Sequence, residues 1–474
     1  MTKRRDVIVV GAGISGLTTA FYLARGGLAV TLLDAGERVG GALDTRREGE
    51  WLVELGPNTV AERPALAALV QHCGLGSRRL QPSPAAARRY VWHRGALRAL
   101  PASPPQLLAS SLLSVRGKVA LLREPWVPPR RAADVGGAGA DESVAAFARR
   151  RLGEEALEVF LAPFVAGIYA GDPERLSMRW TLPRLAALEQ QHGSLLRGAR
   201  ASRRQGAVAF RHPIVTFDDG LATLAERLAS FVPDLRRGSR ADAVRRDGDG
   251  FVVDTAAGPL AAPRVVLAVP APQAACLLFP ASDGLSAPLA ELPYAPLAVL
   301  ACGFRRQQVA HRLDGFGFLA APSSGLRLLG CLFTSSVFPH RAPAGHVLLT
   351  TFLGGRQAPE LLEQNDESLI AIAREDLERT LGARGEPVLT VLRRWPRALP
   401  QLELGHERFV ALAAGLESAM PGLRLVGNWL EGTGVADCVA RAAAVAEAML
   451  ASRADFAVAA AASAAAAADD QLDG

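Results

Sequence analysis

Asp6-Val7-Ile8-Val9-Val10 runs directly into Gly11-Ala12-Gly13-Ile14-Ser15-Gly16, and the residues that follow extend the pattern. The apolar run reads as a buried parallel strand. Leu17 to Arg25 is helix-compatible, and Ala29-Val30-Thr31-Leu32-Leu33 forms a second strand that ends in Asp34. Strand, glycine turn, helix, strand and acid together make a dinucleotide-binding β-α-β unit rather than an isolated glycine pattern. Gly11 allows the tight turn, Gly13 lets a pyrophosphate approach the backbone, and Gly16 permits close helix–strand packing. The helix N-terminus, from Ile14 and Ser15 onward, offers N–H groups and a partial positive charge to the diphosphate. Asp34 is spaced to accept ribose hydroxyls. A structural glycine turn without a ligand is the competing reading.

At 474 residues the chain is too long for one simple core, and two or three lobes are expected. Hydrophobic residues at 49% and charged residues at 21% fit a folded soluble or peripheral protein. The net charge of +6 comes from scattered arginines, including Arg46-Arg47, Arg88-Arg89 and Arg130-Arg131. Without aromatics interleaved along a basic stripe, this balance argues against nucleic acid and for an acidic ligand or anionic lipid. Cys73, Cys276, Cys302, Cys331 and Cys438 lie far apart with no CxxC, so no metal or cluster is expected. They read as buried apolar fillers in a reducing compartment. The first strand begins almost at once, so no secretory or transit segment is expected, and no apolar run reaches spanning length.

Further along, Trp51 to Leu55 reads as a strand and Gly56-Pro57-Asn58 as a sharp turn beyond it. Leu97 to Leu122 mixes proline with leucines that suit either a greasy surface or the core of a helical subdomain. Val144 to Val165 is helical in pattern, and Glu189 to Gln205 reads as a solvent-facing helix or linker. Strands return at Phe251 to Val253 and Val265 to Val269, with Pro270 ending the latter. Leu297 to Phe304, Leu326 to Phe333 and Val347 to Leu353 suggest a separate mixed or antiparallel sheet. Leu423 to Gly427 is a late strand, followed by a loop and a small-residue helix from Val435 to Leu450. The expected class is α/β: a discontinuous Rossmann-like FAD-binding domain, a mixed-sheet substrate domain and an inserted helical subdomain. Its expected bounds are 1–85, 206–280 and 405–450 for the nucleotide domain, 86–205 for the helical insert, 281–404 for the sheet domain and 451–474 for an alanine-rich tail.

A nucleotide domain assembled from distant pieces suits a large cofactor buried between lobes. FAD is favoured over NAD because the late strand–Gly427-Asn428–helix element adds a second helix dipole on the flavin side. A second GxGxxG for NAD(P)H is missing, which favours an organic substrate that reduces flavin directly. No covalent attachment site and no Ser-His-Asp arrangement is evident.

The N-terminal unit, Gly40-Gly41 and the Gly427 to Val435 element resemble the monoamine-oxidase/phytoene-desaturase flavoprotein superfamily. Within it the chain more closely resembles the protoporphyrinogen oxidases. The stretches that carry this run in order from Glu54-Leu55-Gly56-Pro57-Asn58 through Arg89-Tyr90-Val91 and Gly167 to Pro173. They continue through Leu176 to Met178, Phe217 to Leu221, Ser335 to Pro343, Pro400 to Leu402 and Gly427 to Cys438. The resemblance implies an oxygen-dependent oxidation of a porphyrinogen to a porphyrin in heme synthesis. Six electrons leave in three flavin rounds, each yielding hydrogen peroxide, with flavin N5 as hydride acceptor and no protein residue assigned as catalytic. Protoporphyrinogen is the first substrate implied, coproporphyrinogen the alternative, and another flavin amine oxidase or desaturase the outside rival.

The same resemblance implies residue roles. Gly11, Gly13, Ile14, Ser15 and Gly16 hold the diphosphate of non-covalent FAD and Asp34 its ribose, where the family commonly has glutamate. Arg38, Gly41, Gly56, Pro57 and Asn58 surround the pyrophosphate and ring, and Val244 falls where the family's backbone meets adenine. Trp395, Gly427, Asn428, Gly434 and Val435 lie near the isoalloxazine. Arg89 is the implied propionate partner, with Arg88 its neighbour and competitor. Gly167 and Ile168 line the pocket, and Phe316, Leu319 and Phe338 are the candidates to sandwich the macrocycle, although the same aromatics suit a sheet core. No metal is implied, and His406 reads as structural. The leucines between 97 and 122 and the positive charge are compatible with a peripheral seat on the cytoplasmic side of a membrane. A homodimer and hand-over to the next heme-pathway enzyme are left open.

Overall fold

The computed structural model describes residues 5–130, 141–204 and 212–451. Most of the expected alanine-rich tail lies outside the described residues. The first strand, Val7–Val10, is the centre of a five-stranded sheet ordered Asp234–Arg236, Val30–Leu33, Val7–Val10, Val265–Leu267 and Leu423–Leu425. Every pairing is parallel. Such strands are buried on both faces, which is why they read as continuous apolar runs rather than alternations. One face packs against Leu17 and Phe21 of the helix Ile14–Arg25, Leu224 and Leu228 of Ala222–Ala229, and Val439 and Ala446 of the late helix. The other carries a three-stranded antiparallel sheet, whose Val244, Phe251 and Val253 pack on Ile8, Val10 and Leu33.

In chain order the parallel strands read 3-2-1-4-5. The order therefore reverses between Val7–Val10 and Val265–Leu267, and ligands of open α/β sheets sit at the carboxyl ends of strands at such a point. Three separated parts of the chain meet there, as expected for a discontinuous Rossmann-like domain.

The second sheet has seven strands, ordered Leu389–Pro400, Tyr294–Arg305, His346–Gly354, Leu328–Leu332, Gly317–Ala320, Tyr90–His93 and Ala96–Ala99. It is mixed: Gly317–Ala320 runs parallel to Tyr90–His93 while the other pairs are antiparallel. Two of its strands thus come from the start of the segment expected to be helical. The amphipathic helix Asp366–Leu381 covers one face through Leu369, Ala373, Leu377 and Leu381. Asn365 caps its first turn by accepting the Ser368 N–H, and Gly382, at φ +61°, ends it. Trp51, Val53 and Leu55 pack on Ala301 and Leu348 of this sheet, joining the two lobes.

Three expectations change. The continuous helix expected over Val144 to Val165 is broken: Val144–Leu152 stops at Gly153, whose φ of +88° leaves the helical region, and the chain resumes through a π-helical turn at Leu157–Leu161. Glu189 to Gln205 is not a solvent-facing segment throughout. Glu189 is buried, where it receives Nε of the buried Arg151 at 2.9 Å, and Arg151 Nη1 also donates to buried Glu124 at 3.1 Å. Charges that read as surface are here the paired core of the helical region. Finally, Cys276 is exposed, whereas the other four cysteines are buried. Among the described residues no helix is long and apolar enough to cross a membrane.

Candidate active site

Gly11, at φ +101°, carries the chain off the first strand so close to the neighbouring strand end that a Cβ would lie 2.5 Å from the Ala268 carbonyl oxygen. At Gly16 a Cβ would collide with the Gly11 carbonyl oxygen, so helix and turn can pack only without a side chain. Gly13 is different: a Cβ there meets no atom within 4 Å. The space above it is left by the protein itself. Gly13 also begins the helix Ile14–Arg25 with extended backbone and no side-chain cap, which leaves the first-turn N–H groups for a ligand. An open glycine beneath uncapped helix N–H groups fits a diphosphate.

Asp34 sits at the end of the second strand, and its carboxylate is already engaged. Oδ2 accepts the Ala12 N–H at 2.5 Å and Oδ1 the Gly36 N–H at 2.8 Å. The acid therefore shapes the glycine turn, and each oxygen retains a lone pair for a ribose hydroxyl. Ser239 N donates to the Asp34 carbonyl at 2.7 Å, bringing the start of the strand that holds Val244 to this end of the site. Val244 itself is fully buried. Arg38 donates to the carbonyls of Val39, Gly41 and Leu43, at 3.0, 2.7 and 2.6 Å. It thereby holds the loop that places Gly40 beside Ala12 and Gly41 over Gly13.

The Gly56-Pro57-Asn58 turn follows the strand Trp51–Glu54. Trp395 Nε1 donates to the Leu55 carbonyl at 2.6 Å, and the Arg393 guanidinium stacks 4.6 Å from the Trp395 ring. A residue of the second sheet thus fixes the entry to a turn of the nucleotide lobe. Asn58 is buried, and its Oδ1 has no partner among the described residues. Gly427 and Asn428 leave the last parallel strand above the fully buried Trp429, whose Nε1 donates to Val269 O at 3.1 Å. Gly434 and Val435 open the helix over 435–451. Gly434 N–H donates to Asp437 Oδ2 at 3.2 Å, and Arg63 pairs with the other oxygen of that carboxylate. Sequence reading missed Arg63 and Asp437, although an acid three residues past a helix start is a capping signal.

On the opposite side, the Arg89 guanidinium lies 5.1 Å from the Phe316 ring centroid. Arg88 turns away and pairs with Asp314, which also accepts the Tyr90 hydroxyl at 2.7 Å. That hydroxyl, with the Arg88 charge adding, holds the Asp314 carboxyl below the usual range. Gly167 packs against Leu319, since a Cβ on Gly167 would collide with the Leu319 side chain, and Ile168 is half exposed. Asn58, Phe316 and Phe338 line one narrow cleft together with Thr59, Leu332 and Thr334. Asn58 from the cofactor side thus meets Phe316 and Phe338 from the macrocycle side, although they come from chain positions far apart. Tyr169, at the end of the helix Ala162–Tyr169, is pushed up to about 12 by burial, with the Asp437 charge adding. Its hydroxyl donates to the Thr181 carbonyl at 2.9 Å.

Comparison with known proteins agrees with this architecture. Residues 14–450 match the family model described as flavin containing amine oxidoreductase. Coproporphyrinogen III oxidase of Bacillus subtilis is 30% identical, over 94% of this chain and 98% of its own. Protoporphyrinogen oxidase 1, chloroplastic, of Arabidopsis thaliana is 32% identical, over 92% of this chain and 86% of its own. A crystal structure from Exiguobacterium sp., provisionally named protoporphyrinogen oxidase, superposes with a TM-score of 0.81 at 28% identity, covering 95% of this chain and 99% of that one. The chain belongs to the flavin-containing amine oxidoreductase family, as a flavin-dependent oxidoreductase that uses O2 as acceptor and is related to both protoporphyrinogen and coproporphyrinogen oxidases.

Proposed function

We propose that the chain oxidises protoporphyrinogen IX to protoporphyrin IX with non-covalent FAD, three O2 being reduced to three H2O2 overall. The observation that carries this reading is the single cleft shared by Asn58, Phe316 and Phe338, with Arg89 stacked on Phe316. Bound along the glycine turn and the Gly427 to Val435 loop, FAD would supply the two-electron redox chemistry. Gly13, Ile14, Ser15 and Gly16 hold its diphosphate, Asp34 its ribose, and Trp395, Asn428 and Val435 frame its ring. Asn58 Oδ1 offers an acceptor to a pyrrole N–H. Arg89, its fork held by the aromatic face of Phe316, meets a propionate. Phe316, Leu319 and Phe338 supply flat apolar area for the macrocycle. In this division residues 1–85, 206–280 and 405–450 serve the cofactor, 281–404 with Tyr90–His93 and Ala96–Ala99 the substrate sheet, and the rest of 86–205 the helical insert.

Oxidation of coproporphyrinogen III is the second reading, supported by the Bacillus subtilis relative. Anaerobic mixing of the yellow holoprotein with each porphyrinogen separates the two. The preferred substrate should bleach the flavin absorbance, and porphyrin fluorescence should appear when air is admitted. Bound flavin that neither porphyrinogen reduces would overturn both readings.

A peripheral seat on a membrane belongs to the same proposal. Leu108, Val115, Val119, Leu122 and Trp126 are exposed on and beside the helix Val115–Arg123, which also carries Arg116, Lys118 and Arg123. Apolar residues beside cations suit an anionic interface.

A further inference from the structure

The loop that leaves the carboxyl end of the last parallel strand, Leu423–Leu425, ends in the helix over 435–451, and the start of that helix carries an acid. Asp437 Oδ2 accepts the Gly434 N–H at 3.2 Å, and the loop is shaped to seat this carboxylate. A Cβ on Gly432 would lie 2.7 Å from Asp437 Cγ, and one on Gly434 2.8 Å from Oδ2. The next residue, Cys438, is buried and shares a side-chain hydrogen bond with Ser15 of the opening glycine turn. On the other side stands Tyr169, which burial holds protonated and which also feels the charges of Asp437 and Arg63. Asp437 therefore lies between the diphosphate turn at Ser15 and the helix Ala162–Tyr169, which carries Gly167 and Ile168. A cofactor running from the first towards the second passes it.

An acid alone is an unfavourable choice for this place. The positive end of a helix favours electron-rich groups beside it, and a carboxylate in the first turn offsets that field. Two electrons and one proton add one negative charge to a flavin ring, so an uncompensated Asp437 would oppose its reduction. Arg63 removes the conflict. It is the residue before the helix Pro64–His72, 374 positions from the acid, and its Nη1 donates to Asp437 Oδ1. Both side chains are partly exposed, Arg63 at 39% and Asp437 at 24%, so the pair adds little to folding. A ring bound beside it would exclude water and strengthen its field.

We propose that Arg63 and Asp437 form a charge pair that sets the reduction potential of the bound flavin, Arg63 raising it and Asp437 lowering it. Arg63 is a positioning residue, since it acts through Asp437 and not on the substrate. The inference rests on the reading that FAD occupies the glycine turn, and is independent of which porphyrinogen the enzyme oxidises.

The potential is measured by anaerobic reductive titration of the holoprotein against a reference redox dye. The titration is run at pH 8, where His212, lowered by burial and by the charges of Arg184 and Arg63, is neutral. Arg63→Gln leaves the acid alone and should shift the balance about tenfold towards oxidised flavin, a fall of roughly 30 mV for a two-electron couple. Asp437→Asn, which keeps an oxygen for the Gly434 N–H, should shift it by a similar factor towards reduced flavin. Arg63→Lys, which keeps the charge, should stay within about twofold of the native protein. The opposite signs separate electrostatics from loosening of the site, which would move both variants the same way. If Arg63→Gln does not hold FAD, the rise in Asp437→Asn decides alone. Shifts of the same sign, an unchanged potential in Asp437→Asn, or a fall in Arg63→Lys equal to that in Arg63→Gln would each overturn the proposal. A native protein that retains no FAD would overturn the cofactor reading itself, and the proposal with it.

Discussion

Glu54 and Arg341, 287 positions apart in the chain, meet with both side chains fully buried, Arg341 Nη2 lying 3.0 Å from Glu54 Oε1. The carboxylate also receives Thr45 Oγ1 at 2.7 Å and the Leu221 N–H at 2.8 Å, while Arg341 lies 5.2 Å from the Phe338 ring. The pair thus ties the strand before the Gly56-Pro57-Asn58 turn to the segment that presents Phe338. Burial pushes the Glu54 carboxyl above its ordinary range against the pull of Arg341.

Removing one partner strands the other charge in a dry site. Arg341→Met or Glu54→Gln should each cost about 3–5 kcal/mol of stability in urea unfolding. The double variant should cost less than the sum of the two. Additive losses would show that the pair does not act as a unit.

Gly13 and Gly16 are predicted to fail differently. Gly13→Ala places its methyl in open space, so the apoprotein should keep its circular dichroism and Tm but lose FAD, with affinity falling at least about tenfold. Gly16→Ala drives a methyl into the Gly11 carbonyl and should destabilise the apoprotein by several degrees in Tm. Flavin absorbance after gel filtration separates the two. Full flavin retention in Gly13→Ala would contradict the diphosphate assignment.

Arg88 and Arg89 test the macrocycle side. Arg89→Ala should raise KM for the porphyrinogen about tenfold and leave FAD binding unchanged. Arg88→Ala, which removes exposed contacts with Asp314 and the Tyr90 hydroxyl, should change KM by less than about twofold. Steady-state kinetics on both variants decides, and the reverse ranking would exchange their roles.

Acid stability should report buried histidine. His406 has a folded pKa lowered by burial, so the unfolded chain binds its proton more readily. Its contribution is present above the unfolded value of about 6.5 and is lost as pH falls below it, by at most about 1.4 kcal/mol per pH unit. His311 and His340, lowered by the same cause, add to the loss. His406→Gln should flatten the slope of unfolding free energy between about pH 7 and 5. Below about pH 4.5 a second loss should follow as Glu174 and Asp218, held down by hydrogen bonds from Arg149 and Arg78, are protonated.

Binding to vesicles should follow the exposed apolar face. Trp126→Ser with Leu122→Ser should reduce co-sedimentation with anionic vesicles severalfold while turnover of dissolved substrate is retained. Equal sedimentation of the variant would remove that face from the membrane proposal.

The local patterns of the chain were enough to read the β-α-β unit, the late strand and helix, and the presence of a second sheet. A buried parallel strand and a glycine turn state their needs within a few residues. They were also enough to predict that distant pieces share one nucleotide domain. Tertiary structure alone decided the rest, because each remaining feature depends on what lies across space. Arg88 and Arg89 are equivalent in sequence until Asp314 claims the first and Phe316 the second. Glu189 looks solvated until Arg151 is buried against it. Glu54 and Arg341 carry no local signal of one another, since pairing between charges costs nothing to write into a sequence and becomes obligatory only once both are out of water. The opening glycines specified a cradle for a nucleotide; only the folded chain turned Asp34 inward to shape it.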